Sequence, residues 1–278
     1  MRPTLSSLTA LLVSGARGIP REAHGDPADP FALQMLPVPL GLVARALTRV
    51  VGRDRRLARL VPSLSLGLVD HVSLRTLAID EEVERAVAEG ARQLVVLGAG
   101  FDTRVHRLGC LHGVRAFEVD HPATASVKSE RARRLPLQAA SLTRVALDFE
   151  HDDLDAALGR AGHDPAVPTV WVWEGVTMYL TSSAIEATLQ HVQRRSATGS
   201  TLVLTYGPPD FAAPVYHALL WLAAEPLRTL FTPAQVAALL LRHGFSLHRD
   251  DGSADWLARA GRVGGLVVAR ERLAVGTR

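Results

Sequence analysis

Four acidic positions follow one glycine turn at intervals that suit a bound ligand. The turn is Gly98-Ala99-Gly100, reached from an apolar run in LVVLGAGFDTR, with Asp102 just beyond it. Glycines let a chain turn sharply and let a ligand approach the main chain without a Cβ in the way. About twenty residues on, Glu118-Val119-Asp120 closes a second apolar run, followed by His121. A carboxylate at that point accepts hydrogen bonds from both hydroxyls of a ribose, and Asp120 equally suits the N-cap of a helix starting at Pro122. Asp148, beside Phe149, offers an acceptor for the exocyclic amine of an adenine and a flat surface for its ring; an aspartate there also suits the start of a loop. Glu174, in VWVWEGV, ends a strongly apolar run. A buried carboxylate there needs a partner, either a cationic or polar group of a ligand or an arginine of the protein.

A dinucleotide-binding turn of the form G-x-G-x-x-G would place a third glycine at 103, where this chain has Thr103. That departure weakens a pyrophosphate site, and with it an NAD-dependent oxidoreductase, the alternative enzyme class. A non-catalytic binding protein that keeps the same fold is the alternative outside catalysis.

The elements that must position these residues read as an α/β sheet. Short apolar runs alternate with helical patterns from Gln93 onward, the signature of parallel strands covered on both faces. Strands are expected over Gln93 to Leu97, Val114 to Val119, Arg144 to Leu147, Thr169 to Trp173 and Thr201 to Tyr206. Phe245 to Arg249 and Val263 to Ala269 would complete a seven-stranded sheet, the last running antiparallel. Helices are expected over Glu81 to Glu89, Pro122 to Arg134, Ser182 to Arg195 and Pro233 to Arg242, the last capped by Thr232. In such sheets ligands sit beyond the carboxyl ends of the strands, where the strand order reverses. The first eighty residues are punctuated by prolines and show no alternating strands. They read as a helical cap (1–80) on the core (81–278), within one domain.

Composition sets bounds on partners. The chain has 278 residues, 47% of them hydrophobic, and a net charge of +3; of its 31 basic residues only Lys128 is a lysine. This balance gives no reason to expect a nucleic acid. The run Arg53 to Arg59 offers a phosphate or membrane patch or a solvated helix face, and without interleaved aromatic residues the solvated face is the better reading. The single Cys110 excludes an intramolecular disulfide and a cysteine-based zinc site. No apolar stretch is long enough for a membrane span, and MRPTLSSLTALLVSGARG reads as an ordinary helix. A cytoplasmic protein with no membrane partner is expected, with a homodimer left open.

RQLVVLGAGFDTRVHRL, EVDHPATASVK, VALDFEHDDLDAAL and WVWEGVTMYLT, in that order, resemble the leucine carboxyl methyltransferase family and its bacterial S-adenosylmethionine-dependent relatives. The resemblance runs from about Leu74 to Leu204. It implies a class I methyltransferase, Rossmann-like, with a seven-stranded, mostly parallel sheet under an N-terminal helical cap. It further implies that Arg75 binds the methionine carboxylate of S-adenosylmethionine, and that Gly98, Ala99, Gly100 and Asp102 line that portion. Asp120, with His121, would hold the ribose, Asp148 and Phe149 the adenine, and Glu174 the amino end. Arg17, upstream of Asp29-Pro30, is the nearest match to a basic residue in the family's first helix.

Methyl transfer from a sulfonium is an in-line displacement, so a carboxylate acceptor, already ionised, needs no base. A phenol or enol must lose a proton, and His217 in DFAAPVYHALLW, with Tyr206, is the candidate to assist. The aromatic residues Tyr206, Phe211, Tyr216 and Trp221 suggest a wall for an apolar acceptor. The expected reaction is O-methylation of a small molecule, a carboxylate or phenol/enol of a polyketide-like or aromatic natural product.

Overall fold

The structure, a computed structural model, describes residues 8–20, 28–65, 67–210, 227–259 and 270–278. Seven strands form one sheet: β1 (Gln93–Leu97), β2 (Arg115–Asp120), β3 (Ser141–Ala146), β4 (Thr169–Trp173), β5 (Thr201–Tyr206), β6 (Ser246–Gly252) and β7 (Arg272–Thr277). Their order is β3-β2-β1-β4-β5-β7-β6. The first five are parallel, and β7 runs antiparallel to both β5 and β6. From β1 the chain winds outward through β2 and β3, then returns to lay β4 on the other side of β1. The reversal point therefore lies between β1 and β4, and both Gly98 and Glu174 leave the sheet there.

β1, β4 and β5 are buried along their whole length. Successive side chains point to opposite faces, so each strand feeds two cores. Val95, Leu97, Trp171, Trp173, Leu202 and Leu204 face one core, closed by α7 (Leu154–Arg160), α8 (Ser182–Arg194) and α9 (Pro233–Arg242). Leu94, Val96, Val170, Val172 and Val203 face the other. That core is closed by α4 (Leu68–Ala88) and by Trp256 of α10 (Ser253–Arg259). Thr232 caps α9 in a reciprocal capping box with Gln235, as the Thr-Pro start requires.

Before the sheet come α1 (Leu8–Arg17), a short 3-10 turn at Ala32–Gln34, α2 (Val38–Arg53) and α3 (Arg55–Leu64). α1 and α3 pack on α4, which runs unbroken through residue 80 and so joins the helical cap to the core. α5 (Arg104–Arg107) follows the glycine turn, and α6 (Pro122–Ala132) follows β2.

Several boundaries differ from expectation for physical reasons. α4 begins thirteen residues before Glu81, because Asp70, His71, Arg75 and Asp80 interrupt its apolar stripe although all four are buried. β3 starts at Ser141 because it is an edge strand with a half-exposed face. β6 continues through Asp250 and Asp251, whose carboxylates are paired with arginines. The strand expected over Val263 to Ala269 lies outside the described residues, and the antiparallel strand that completes the sheet is Arg272–Thr277.

Candidate functional site

The glycine turn is pinned to the end of β2. The amides of Gly98 and Ala99 both donate to the Val119 carbonyl, at 2.8 and 3.0 Å. Gly98 and Gly100 lie at positive φ, 67° and 44°. Their surroundings differ: a Cβ on Gly98 would stand 2.3 Å from Val176 Cγ2, whereas one on Gly100 would meet nothing nearer than Ala10 Cβ at 3.8 Å. Gly98 is thus a packing glycine, closed over by the EGV segment. Open main chain is presented at Gly100.

Asp120 faces that open stretch. Its carboxylate accepts from the Gly100 amide and, at 2.6 Å, from the His121 amide. Burial pushes its pKa up, against the pull of those two amides. His121, rather than Asp120, caps α6, its Nδ1 accepting from the Ala123 amide. Beneath the turn, Lys128 Nζ donates to the Ala99 carbonyl at 3.3 Å and pairs with Glu118 at 2.8 Å.

Glu174 is clasped by two buried arginines. Arg75 Nε reaches its Oε1 at 2.9 Å, and Arg104 Nη1 its Oε2 at 2.7 Å. Arg75 also pairs with Glu271, just ahead of β7, and Glu271 accepts from His71 Nε2 at 3.0 Å. Arg104 continues the chain of pairs to Asp102 and, at 2.7 Å, to Asp80, which also holds Arg107 at 2.6 Å. Burial alone would raise the Glu174 pKa, but Arg104, Arg75 and Arg17 together hold it well below the ordinary carboxylate range. Glu271 is likewise buried, yet Arg75 and His71 bring it down to about 2. Arg75, expected to meet a ligand carboxylate, already has carboxylate partners on its Nε and both Nη atoms.

Arg17, at the end of α1, differs. It is buried, and its Nε and Nη1 have no hydrogen-bond partner among the described residues. Its charge bears on Asp102 and Glu174, helping to hold both carboxylates down once their burial is overcome. Two buried guanidinium donors without an acceptor are costly, and an anionic ligand group beside them would remove that cost. The Asp29-Pro30 pair fastens this corner to the glycine turn: Asp29 is fully buried and accepts from Thr103 Oγ1 at 2.6 Å and from the Phe31 amide at 3.0 Å.

Asp148 and Phe149 leave β3 on the same edge. Asp148 Oδ1 accepts from the Glu150 amide, and the Phe149 ring lies 6.4 Å from that of Trp173. Both are half-buried. Glu150 ties this loop to the MYLT segment through the amide and hydroxyl of Thr181, at 3.0 and 2.8 Å. Tyr206 is apart from these groups: its hydroxyl donates to Asp250 at 2.8 Å and accepts from Arg272 at 3.1 Å, and burial with the Asp250 charge pushes its pKa upward. His217 lies outside the described residues, as do Phe211, Tyr216 and Trp221.

Reading the sequence missed Arg104, Asp80, His71 and Glu271 as members of the site. FDTR itself was a signal for Arg104, since a charged residue directly after a buried turn needs a buried partner. Glu271 gave none, because it meets Arg75 across 196 positions of chain. No cluster of metal-ligating side chains occurs among the described residues.

Comparison with known proteins supplies context for this geometry. The model of the leucine carboxyl methyltransferase family matches residues 21–193. A relative from Streptomyces coelicolor, provisionally named an S-adenosyl-L-methionine-dependent methyltransferase, is 38% identical over 58% of this chain and 59% of its own. One from Mycolicibacterium gilvum with the same provisional name is 34% identical over 79% of this chain and 71% of its own. For the first relatives, the matched stretch thus spans little more than half of their length. Among solved structures, a DUF574 family protein from Streptomyces avermitilis superposes with a TM-score of 0.65 at 16% identity, covering 98% of each chain. A provisionally named methyltransferase from Thermobifida fusca gives 0.59 at 16%, covering 97% of this chain and 94% of its own. At such identity these two likenesses show the fold alone, that of a class I methyltransferase.

Proposed function

The chain belongs to the leucine carboxyl methyltransferase family, and from that premise we propose that it transfers a methyl group from S-adenosylmethionine to an oxygen of a small acceptor. The acceptor class is a carboxylate or a phenol/enol of a polyketide-like or aromatic natural product. The observation that carries the reading is the buried guanidinium of Arg17, without a hydrogen-bond partner at Nε and Nη1 among the described residues and with its charge acting on Glu174 and Asp102. An α-amino acid group brings one carboxylate and one ammonium, which is what a free cation next to a pair of carboxylates suits.

When bound, S-adenosylmethionine supplies a methyl group made electrophilic by the attached sulfonium. This chain's residues would grip its three parts. Arg17 meets the carboxylate, and Glu174 with Asp102 the ammonium. Asp120, presented beside the open main chain of Gly100, accepts from the ribose hydroxyls. Asp148 and Phe149 offer an acceptor and a ring face to the adenine. Arg75 and Arg104 act one step back, fixing the Glu174 carboxylate so that no reorganisation is needed on binding. The remaining task is to hold the acceptor oxygen in line and exclude water. A carboxylate acceptor arrives deprotonated and needs no base, in keeping with a His71 that is engaged with Glu271 and a His121 that caps α6.

The test is equilibrium dialysis of the full chain against S-adenosylmethionine and NAD, with Asp120→Asn as comparison, followed by labelled methyl transfer to a panel of carboxylic and phenolic acids. Binding of the sulfonium compound alone, weakened about tenfold or more in the variant, is expected. Preference for NAD, or indifference to Asp120→Asn, would overturn the assignment.

A further inference from the structure

We propose that α2 and α3 form a docking face for an anionic lipid bilayer, on which the protein seats itself peripherally. α2 is turned inside out. Gly41, Arg45, Thr48 and Gly52 recur at helical spacing along its inner side, where Gly41 is buried and the other three are half-buried. A Cβ on Gly41 would stand 3.0 Å from the Leu33 carbonyl oxygen, and Arg45 Nη1 donates to that same oxygen at 3.5 Å. Apart from Val51, which packs on the small cluster of Ala16, Val61 and Val69, the helix therefore gives its small and polar side to the protein.

Its apolar side faces outward. Leu40, Val43, Leu47 and Val50 form a stripe in which each residue is between 56 and 60% exposed. Val38 and Leu42 widen it, and α3, packed against α2, adds exposed Leu57, Leu60 and Leu64. A helix whose only partners are its own protein and water shows the opposite polarity. A contiguous exposed apolar surface of this kind marks an interaction site.

Charge selects the occupant. α2 carries no acidic residue from Val38 to Arg53, while Arg49 and Arg53 are exposed beside the stripe and Arg56 is exposed in the first turn of α3. The one acid between the helices, Asp54, is spent on the Arg56 amide at 2.7 Å, capping α3. A second copy of this chain would bring arginine against arginine. A partner helix needs a narrow seam and would leave most of a face spread over two helices uncovered. A bilayer interface accepts a broad apolar face, and its anionic headgroups pair with guanidinium groups whose stems lie along the boundary. No helix among the described residues is long and apolar enough to cross a membrane, so the mode is lying on the surface. The charge run Arg53 to Arg59, taken by itself, reads as solvated because it does not reveal which side of α2 is turned outward.

The test is co-sedimentation of the full chain with phosphatidylcholine vesicles, with and without phosphatidylglycerol, at low and high salt. Binding is expected only with phosphatidylglycerol, and salt should reverse it. Val43→Asp/Leu47→Asp and Arg49→Glu/Arg53→Glu should each weaken it more than about tenfold. All four positions are solvent-facing or nearly so, and circular dichroism with S-adenosylmethionine binding checks that each variant keeps its fold. Absence of binding to anionic vesicles, equal binding to both compositions, or indifference to both variants would overturn the proposal. So would a lipid-free dimer, seen by sedimentation velocity, that Val43→Asp/Leu47→Asp dissolves. Vesicle binding is read independently of methyl transfer, so failure of the proposed activity leaves this result interpretable.

Discussion

Replacing Gly98 with alanine places a Cβ 2.3 Å from Val176 Cγ2 on a backbone at φ 67°, and the two penalties are separable. The left-handed conformation costs an alanine about 1–2 kcal/mol. Overpacking a side chain that cannot retreat adds about 1–3 kcal/mol. Gly98→Ala should therefore lose about 2–5 kcal/mol of unfolding free energy. Val176 is half-buried, so Val176→Ala alone should cost about 1 kcal/mol for its lost methyl burial. In the double variant the overpacking vanishes and only the backbone strain and the lost burial remain, about 2–3 kcal/mol. Urea denaturation of the four proteins measures the cycle. The single-variant losses should overshoot that of the double variant by about 1–3 kcal/mol.

The same cycle separates a packing glycine from a ligand-approach glycine. S-adenosylmethionine affinity should recover along with stability in the double variant, because the donor is proposed to meet Gly100 rather than Gly98. Gly100→Ala, whose Cβ would meet only Ala10 at 3.8 Å, should lose donor affinity out of proportion to its stability. If the Gly98 and Val176 effects add within about 0.5 kcal/mol, the contact read at this corner does not govern the turn, and the reasoning fails.

Three other outcomes are expected. Arg17→Met should weaken donor binding about tenfold or more at a smaller cost to the stability of the unliganded protein than Arg75→Met, since its Nε and Nη1 make no hydrogen bond to the carboxylates its charge helps hold down; dialysis and urea melts read the two effects. Arg75→Met should cost the free protein about 3–5 kcal/mol, because Glu174 and Glu271 each lose a buried partner. Glu271, held down to about 2 from an ordinary value of 4.5, contributes stability that is complete above 4.5 and is lost as pH falls toward 2. The loss is about 3 kcal/mol across that window, and Glu271→Gln should remove that component of the acid dependence in pH-resolved melts.

The parts of the fold legible from sequence are those where one physical signal dominates. β1, β4 and β5 are buried on both faces, so they appear as unbroken apolar runs with matching limits. α9 announces itself through Thr232-Pro233. The edge strands β3 and β6 blur because half of each is solvated. α4 hides its first half behind buried ionic residues whose partners lie elsewhere in the chain. The site divides along the same line. Glycines and acids at strand ends follow local spacing, so Gly100, Asp120 and Glu174 could be named as candidates, and the structure places them on one edge of the sheet. Which arginine is free and which is spent is decided by long-range pairing: Arg75 is consumed by Glu174 and Glu271, whereas Arg17 is left over.

That pairing also bears on which cofactor class the edge suits. Asp29, Asp80, Asp102, Glu174 and Glu271 face Arg17, Arg75, Arg104 and Arg107, five carboxylates against four guanidinium groups, with His71 beside Glu271. Low-dielectric surroundings make such an excess felt across the whole cluster. A sulfonium amino acid, with one carboxylate against an ammonium and a sulfonium, brings net positive charge to an edge rich in carboxylates. A pyrophosphate would bring more negative charge to a turn that has Thr103 where the third glycine would stand. That threonine is tied to the buried Asp29 carboxylate at 2.6 Å, so the substitution that breaks the dinucleotide pattern also places an acid under the turn. The sequence departure and the charge excess are therefore one feature, and both favour the cationic donor over the dinucleotide.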